Sequence, residues 1–498
     1  MTSQQHGSVT YQKVGDEYFE KRKLRRYAGV FSLWALGVGA VISGHFSGWN
    51  FGLAFGWGSM LVATIIITIM YLGLTYSIAE MSPALPHTGG AYSFARTAMG
   101  PWGGFITGVA ENIEYVLTPA VVVFFIGSYM GAILETGPEF QPVYWAGGYA
   151  IFLALNLFGV ALSFRVTVVV TLLALACLAA FYVSALGQFD FTKNAMNIGV
   201  VDGAAVELPE GGGPWLPFGI QGVLAALPFA VWLYLAIEQL PLAAEETNDP
   251  KRDMPRGIMA AMFTLIVSAF LVLTLNAGIA PGSFGLMTSG EPLLEGFRTL
   301  FGADLAKILA IVAIMGLIAS FHAIIYAFGR QIYSLSRAGY FPRSLSVTSG
   351  KHKTPTAALL AGSALGLGVM LVIWFLYGAD TGGAFIGAAL LNMAVFGAMI
   401  SYVMQGVSFI LLRRNLPDIE RPYRSPFGIF GAALTVVIAL VTIYFQVTDP
   451  AFRDPVIGVA IYYAITLVYF ALFGRSRLVL SPEEEFAMSK GSTDYKTH

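Results

Sequence analysis

Long apolar stretches recur along the whole chain, separated by short polar or glycine-rich intervals. A helix that crosses a bilayer needs about 20 mostly apolar residues. Twelve stretches reach this length, and we number them in order as segments 1 to 12: 29–54, 57–81, 102–134, 143–163, 165–187, 216–244, 256–280, 303–336, 356–377, 383–412, 428–447 and 455–474. The pattern predicts an all-α integral membrane protein with about twelve transmembrane helices.

The polar ends of the chain complete this domain organisation. We expect a cytoplasmic N-terminal segment over residues 1–28, a transmembrane domain over 29–475 and a polar, mobile cytoplasmic tail over 476–498. The N-terminal segment has no early apolar stretch and ends in a basic cluster, so it is not a cleavable signal peptide. The largest loop, 188–215, is polar and glycine-rich and is too short for a folded soluble domain.

Composition supports a membrane protein and argues against several other classes. Hydrophobic residue types make up 56% of the chain and charged types 11%, whereas soluble domains carry roughly 25% charged residues. The net charge of −1 gives no electrostatic reason to bind nucleic acid. The single cysteine, Cys177, excludes an internal disulfide and a cysteine-based metal site. The chain has no phosphate-binding loop, zinc motif or nucleophile elbow, so we expect neither an enzyme nor a bound cofactor or metal.

Lysine and arginine residues are distributed unevenly over the predicted loops. With the N-terminus inside, only four of the 28 basic residues fall on the outer side: Lys193, Arg298, Lys307 and Arg453. Cytoplasmic loops of membrane proteins carry an excess of these residues. The asymmetry predicts a multi-pass protein of the cytoplasmic membrane with both termini in the cytoplasm. It also supports the helix count, because adding or removing one helix would scramble the distribution.

Two of the twelve segments contain residues that interrupt a helix. Segment 1 carries several glycines together with Ser43, His45 and Ser47 near mid-membrane, and in segment 6 Pro228 and Pro241 bracket a stretch rich in aromatic residues. Proline removes a helical hydrogen bond, and unwound backbone at this depth must line a cavity or be buried in protein. Segments 1 and 6 are corresponding positions of two five-helix halves, which is the pattern expected of a transporter binding site.

Three polar stretches at helix ends carry a resemblance to a known family: residues 80–92, 243–255 and 337–342. On these residues, and over essentially its whole length, the chain resembles the amino acid–polyamine–organocation superfamily of transporters. The resemblance implies the LeuT-like fold, in which two inverted repeats of five helices are followed by two peripheral helices. It also implies that the substrate is held where helices 1 and 6 are broken.

Within this superfamily the chain is most similar to the ethanolamine permeases. The similarity rests on residues 42–53, 100–105 and 227–232. It implies a secondary active transporter that imports a small organic amine, most simply ethanolamine, by alternating access. The alternatives are an amino-acid or polyamine permease of the same superfamily and, from a different class, a non-transporting nutrient sensor. The expected partners are the amine, protons if transport is coupled to them, and the lipid bilayer; the sequence does not indicate an oligomeric state.

Ethanolamine dictates what its binding site should contain. A protonated amine needs carboxylates, carbonyl oxygens or aromatic faces around it, and charged residues inside a membrane are functional candidates because they are costly. His45 and Phe46 are bulkier than the small residues usual at this break in amino-acid permeases, which disfavours a carboxylate-bearing substrate. The candidate substrate-binding residues are Ile42, Ser43, Gly44, His45, Phe46, Glu111, Glu114, Tyr115, Phe229, Trp232, Tyr234, Glu238 and His322.

The sequence leaves the coupling of transport open. Several proton-coupled relatives use a lysine on helix 5, and segment 5 has no internal lysine. Glu111, Glu114 and His322 are therefore the candidates for carrying a coupling proton, and the alternative is a uniporter or exchanger driven by membrane potential. Each of these three residues could instead be a packing residue satisfied by its neighbours.

Acidic and basic residues meet at the predicted cytoplasmic helix ends. We expect Glu80, Glu245 and Glu246 to form a charged latch with Lys251 and Arg252. The alternative is a plain solvated loop.

Overall fold

Helices dominate the structure, as the hydrophobic pattern predicts. The computed structural model describes residues 3–489, with the exception of residues 7, 13, 15, 23, 86, 88, 159, 350–351, 379–382, 449 and 451–452. Within the described residues, ten helices are long and apolar enough to cross a membrane. The predicted fold class, an all-α membrane protein, is confirmed.

The first half of the chain contains a short strand pair and the first five apolar segments. Its elements are β1 (Ser3–His6), β2 (Val9–Gln12), α1 (Asp16–Glu20), α2 (Val30–Val41), α3 (Ser43–Phe46), a 3-10 helix (Trp49–Phe55), α4 (Trp57–Ala84), α5 (Ala91–Leu134), a 3-10 turn (Pro138–Phe140), α6 (Gln141–Leu157) and α7 (Val160–Ala185). Two predicted segments fall outside the ten long helices. Segment 1 is divided among three shorter helices, and segment 4 corresponds to α6, which has 17 residues.

A folded loop leads from the first half into the second. The elements that follow are a 3-10 turn (Leu186–Gln188), a π-helical turn (Phe191–Ala195), β3 (Ile198–Val201), β4 (Ala204–Glu207), α8 (Gly219–Trp232), a 3-10 helix (Ile237–Glu246), α9 (Pro250–Ala277), α10 (Gly282–Leu286), α11 (Pro292–Arg337), a 3-10 turn (Arg343–Ser346), α12 (Thr356–Tyr377), α13 (Gly383–Asn415), α14 (Gly428–Thr448), α15 (Arg453–Leu472), a 3-10 turn (Gly474–Ser476), β5 (Leu478–Val479) and α16 (Pro482–Ser489).

The two five-helix halves share a kink in addition to their broken segments. In α5, the third helix of the first half, Gly100 has φ 78° and joins a short leading helix to the membrane span. In α11, the third helix of the second half, Gly302 has φ 79° at the corresponding place. This left-handed conformation favours glycine. Matching kinks at matching positions support two related halves, with α14 and α15 as the peripheral helices.

The loop between α7 and α8 has a defined structure. β3 and β4 form an antiparallel hairpin, and Asn197 fastens the loop to the segment that follows α9. The Asn197 side chain accepts a hydrogen bond from the backbone N–H of Phe284 at 2.9 Å and donates one to the Pro281 carbonyl at 3.2 Å. We call the side of the molecule that carries this loop the hairpin face.

The two ends of the chain pack together on the other side, which we call the terminus face. β2 lies between β1 and β5 and pairs in parallel with β5. The tail predicted over 476–498 is therefore packed rather than mobile as far as α16, while residues 490–498 lie outside the described part of the chain.

One buried carboxylate holds the terminus face together. Glu484 of α16 is completely buried and lies 2.5 Å from Nε of Arg96, at the start of α5. It also accepts hydrogen bonds from the hydroxyl groups of Tyr11 at 2.6 Å, Tyr92 at 2.7 Å and Tyr340 at 3.0 Å. Strand β2, the start of α5, the segment after α11 and the C-terminal helix α16 therefore meet at the same side chain.

We predict that Glu484→Gln releases α16 from the terminus face. Removing one partner of a buried ion pair costs about 3–5 kcal/mol, because the charge of Arg96 is left without compensation. The measurement is thiol labelling of Ser489→Cys in detergent, against the low background of the buried Cys177. We expect the labelling rate of the Ser489→Cys thiol to rise by about tenfold or more. A tenfold rise corresponds to a decrease of about 1.4 kcal/mol in the free energy that is needed to detach α16.

The control for this experiment is Glu17→Gln, which breaks the exposed ion pair between Glu17 in α1 and Lys21 just after it. Exposed pairs contribute about 1 kcal/mol or less, so this variant should label like the wild type. Equal labelling of Glu484→Gln and the wild type would mean that contacts other than Glu484 hold the tail.

Candidate functional site

Segment 1 stays helical further than its sequence predicts. α2 ends at Val41, but Ile42 keeps helical angles (φ −60°, ψ −21°) and leads directly into α3. The backbone becomes extended at Ser47 (φ −159°, ψ 159°), and Gly48 follows with φ 95°. The polar Ser43 and His45 therefore lie on the helix just before the break.

Segment 6 unwinds where the aromatic stretch predicts. α8 ends at Trp232, the chain turns over residues 233–236 with Ala236 at φ 81°, and a 3-10 helix begins at Ile237. Pro228 lies inside α8 and Pro241 inside the 3-10 helix, so the two prolines flank the break as expected.

The two breaks contact each other directly. Nε1 of Trp232 donates a hydrogen bond to the carbonyl of Ser47 at 2.9 Å, and Nε2 of His45 lies 3.0 Å from the carbonyl of Leu233. A side chain at Gly44 would overlap the carbonyl of Trp232. The free backbone groups of one break are thus partly satisfied by the other, as a membrane interior requires.

His45 and Phe46 have structural contacts of their own. Nδ1 of His45 lies 2.8 Å from Oγ of Ser268 in α9, and the Phe46 ring packs against Gly316 of α11. We expected the bulk of His45 and Phe46 to exclude a substrate that carries a carboxylate. The contacts with Ser268 and Gly316 do not support this expectation.

The start of the break is tied to the second half through hydroxyl groups. Oγ of Ser43 donates to Oγ of Ser320 in α11 at 2.8 Å, and Ser320 in turn donates to the carbonyl of Ala40. Ile42 is fully buried beside them. Ser43 therefore connects helix 1 to helix 8 of the predicted fold.

The aromatic candidates of segment 6 do not form a single cage. Trp232 points toward Ser47, whereas the hydroxyl of Tyr234 lies 2.8 Å from Oγ1 of Thr68 in α4. Phe229 lies in edge contact with Phe51, at 6.3 Å between ring centroids. The three side chains therefore contact three different neighbours: Ser47, Thr68 and Phe51.

Three glutamates on α5 and the 3-10 helix after the break are buried together in the interior. Glu111, Glu114 and Glu238 are each at most 1% exposed. Glu111 accepts hydrogen bonds from Nε2 of Gln331 at 3.0 Å and from the hydroxyl of Tyr115 at 3.3 Å. We call Glu111, Glu114 and Glu238 the acidic cluster.

Glu114 is the least satisfied member of the acidic cluster. Glu238 neighbours it and accepts a hydrogen bond from the hydroxyl of Tyr402 at 2.7 Å through Oε2. When both carboxyl groups are ionised, the Oε1 atom of Glu238 and both carboxyl oxygens of Glu114 have no hydrogen-bond donor among the described residues. A proton on Glu114 would let the two carboxyl groups bond each other. A buried polar group without a partner is expensive, so this position calls for a ligand or a proton.

His322 does not belong to the acidic cluster. Its ring nitrogens lie 3.1 Å from Nδ2 of Asn156 and 3.1 Å from Oγ of Ser163, on α6 and α7. The histidine is satisfied by packing neighbours, and its predicted place in the substrate and proton site is not supported.

The predicted latch forms with different basic partners. Glu246 pairs with Arg330 at 2.9 Å, both nearly inaccessible, and it also accepts from the hydroxyl of Tyr326. Glu245 pairs with Arg337 at 2.7 Å. These bonds join the end of segment 6 to α11 and close the terminus face beneath the breaks.

The remaining latch residues lie elsewhere on the terminus face. Glu80 pairs with Arg413 at 2.6 Å and with Arg421 at 3.2 Å. Lys251 pairs with Glu420 at 2.6 Å, and Arg252 lies 4.0 Å from its neighbour Asp253. The ion pairs that the structure describes for Glu80, Glu245 and Glu246 are thus made by arginines of α11, of α13 and of the segment after α13, rather than by the expected Lys251 and Arg252.

Sequence reasoning missed the residues that complete the acidic cluster. Tyr402 of α13 bonds Glu238, its hydroxyl lies 3.0 Å from that of Tyr71 in α4, and Gln331 of α11 bonds Glu111. The available signal was weak: each is a polar side chain in a long apolar helix. Which of the many such residues face inward depends on helix rotation, which an almost uniformly apolar pattern does not define.

A further acidic residue lies near the break on the hairpin face. The carbonyl of Gly290 accepts a hydrogen bond from Oγ of Ser47 at 3.1 Å, and Glu291 follows at the start of α11. Burial, and to a smaller degree the neighbouring Glu295, raises the pKa of Glu291 to about 7. Its charge therefore changes close to neutral pH.

We predict that Gly44→Ala separates the two breaks, because the added methyl group overlaps the carbonyl of Trp232. Overpacking of this kind costs about 1–3 kcal/mol. Thermal unfolding in detergent should show a lower midpoint for Gly44→Ala and no change for the control Gly29→Ala, whose added atom would meet nothing within 4 Å. Equal midpoints for the two variants would contradict the backbone contact.

We predict that Glu291 makes stability fall as pH rises from about 4.5, its ordinary pKa, to about 7. Over this range the unfolded chain has lost the proton while the folded protein retains it, so folding becomes less favourable by at most about 3 kcal/mol. The difference in unfolding midpoint between Glu291→Gln and the wild type should grow over this range and stay constant above it. The exposed Glu210→Gln is the control, and a pH-independent difference would contradict the prediction.

Known transporters are similar in sequence to this chain over most of its length. The amino acid permease family matches residues 29–472. An uncharacterized transporter of Rhizobium meliloti (strain 1021) is 26% identical over 86% of this chain and 88% of its own. The methylthioribose transporter of Bacillus subtilis (strain 168) is 24% identical, and the branched-chain amino acid permease BcaP of that organism 25% identical, each over 93% of this chain and 96% of its own. With this match, the broken helices and the membrane fold, the chain belongs to the amino acid permease family and is a secondary transporter rather than an enzyme.

Proposed function

We propose that the protein imports a small protonated organic amine, with ethanolamine as the leading candidate. The single observation that carries this proposal is the acidic cluster, in which an ionised Glu114 has no hydrogen-bond donor among the described residues. A buried charge is tolerated when it is paired, and an ammonium group would supply the missing partner. In this proposal the terminus face is the cytoplasmic one.

The composition of the acidic cluster supports a cation rather than an anion. Glu111 and Glu238 accept hydrogen bonds from tyrosine hydroxyls and one glutamine amide, whereas Glu114 accepts none. No lysine or arginine forms an ion pair with any of the three in the described part of the chain. Two buried arginines of the bundle are already paired, Arg96 of α5 with Glu484 and Arg330 of α11 with Glu246. Three carboxylates without a basic partner favour a positively charged ligand.

An amino acid is the second candidate, and two observations favour it. One relative is named as a branched-chain amino acid permease, and none of the three relatives is named as an ethanolamine permease. His45 and Phe46 are also engaged with Ser268 and Gly316, so their bulk no longer argues against a carboxylate. An amino acid would present its ammonium to the same acidic cluster.

Proton coupling follows from the same residues. When no amine is bound, Glu114 or Glu111 is the group best situated to take up a proton, because both are buried beside the break of segment 6. We propose that amine and proton alternate at the acidic cluster during transport. His322 has no part in this proposal.

The test is uptake of labelled ethanolamine into liposomes that contain the purified protein, with and without a proton gradient. Unlabelled choline, lysine, alanine, leucine and putrescine compete in parallel. Glu114→Gln and Glu238→Gln keep the side-chain shape and remove the charge. A hydrogen bond to a charged group is worth about 1.5–3 kcal/mol, so each variant should lower kcat/KM by about tenfold to a hundredfold.

Glu207→Gln, at an exposed position in the hairpin, is the matched control and should transport like the wild type. Saturable ethanolamine uptake that small amines inhibit and alanine does not would support the leading candidate. Transport of leucine or alanine without ethanolamine flux would favour the amino acid. Full activity of both acidic-cluster variants would contradict the proposed role of Glu114 and Glu238, and binding without flux would favour a sensor.

A further inference from the structure

The terminus face contains a cavity that the transport site does not use. It lies between the first turns of α9, the end of α4 and the segment after α13, and its volume is about 810 Å³. Its polar wall is formed by Lys251, Arg252 and Arg256 of α9. We call it the basic cavity.

One stripe of α9 connects the basic cavity to the membrane interior. Arg252, Arg256, Met259 and Phe263 all line it, and their spacing of four, three and four residues puts them on the same side of a helix. At 1.5 Å per residue, the stripe rises roughly 16 Å from Arg252 to Phe263. The wall therefore changes from basic at the terminus face to apolar at membrane depth.

The apolar end of this stripe faces outward. Phe263 is 54% exposed, and the stripe continues through Val267, which is 60% exposed. In a protein that spans a bilayer, such a surface meets lipid chains. A ligand that fills the whole cavity must then carry an anionic group at one end and a hydrocarbon chain at the other.

The charges around the basic cavity leave an excess of positive charge at its wall. Asp249 is the acidic lining residue, and its carboxylate already accepts the backbone N–H of Arg252 at 3.4 Å. Lys251 pairs with Glu420 in an exposed bridge, and Arg252 lies 4.0 Å from Asp253. Arg256 forms no ion pair among the described residues.

We propose that the basic cavity binds one anionic phospholipid, with its phosphate between Arg252 and Arg256 and an acyl chain along Met259 and Phe263. Basic pockets between transmembrane helices at the cytoplasmic side are suited to such headgroups. Tyr76 and Tyr423 complete the opposite wall, where an aromatic ring with a hydroxyl fits the boundary between headgroup and chain. A free phosphate ion would explain the arginines but not the apolar stripe.

The test compares lipid binding to the purified protein by native mass spectrometry, with phosphatidylglycerol and phosphatidylethanolamine as the two lipids. We expect phosphatidylglycerol to bind at least tenfold more tightly, and Arg252→Gln with Arg256→Gln to abolish this preference. The matched control is Arg475→Gln with Arg477→Gln, which removes two exposed arginines of the terminus face outside the cavity. The control should keep the wild-type preference.

Two further measurements separate a lipid from other occupants. Phe263→Gln should weaken phosphatidylglycerol binding by several-fold while leaving both arginines in place. Inorganic phosphate at millimolar concentration should not raise the thermal unfolding midpoint. If inorganic phosphate stabilises the protein and Phe263→Gln has no effect on binding, the ligand of the basic cavity is a soluble anion and not a lipid. If the cavity and control variants lose the preference for phosphatidylglycerol equally, the preference comes from the total surface charge, and the proposed lipid site is wrong.

Discussion

The structure depends on how two interrupted helices satisfy each other's backbone inside a membrane. A bilayer offers no hydrogen-bond partners, so unwound chain is stable there only against protein. The breaks meet this requirement mutually, through the bond from Trp232 to the carbonyl of Ser47 and the contact of His45 with the carbonyl of Leu233. Gly44 allows the close approach because it has no side chain. The proposed binding region is thus the place where the two helices are interrupted.

The broken segments are also fastened on both faces of the molecule. On the hairpin face, Ser47 binds the carbonyl of Gly290, so one end of the break is fastened to the segment before α11. On the terminus face, Glu246 and Arg330 join the end of segment 6 to the same helix. α11 and the segment just before it therefore contact the broken segments on both faces. An alternating-access cycle would have to exchange one of these sets of bonds for the other.

Sequence patterns predicted the membrane spans well because hydrophobic length alone indicates them. Segments 1 and 6 were recognisable as broken, since glycine and proline act locally and their effect does not depend on neighbours. The side-chain partners were not predictable to the same degree. The latch shows the reason: Glu246 was identified, but its partner Arg330 is 84 residues away in sequence, and only the packing of α11 brings the two together.

The same limit explains why His322 and Glu114 look alike in sequence and differ in the structure. Both are single polar residues in long apolar helices, and both qualify as functional candidates on cost alone. Packing gives His322 two neighbours that satisfy its ring, and it gives an ionised Glu114 no hydrogen-bond donor among the described residues. Hydrogen bonds therefore offset the free-energy cost of burying His322. No hydrogen-bond donor among the described residues offsets the cost of burying an ionised Glu114. An unsatisfied carboxylate beside a helix break is a place where binding energy is available, and a cation that neutralises it gains more there than at any satisfied polar residue in the bundle.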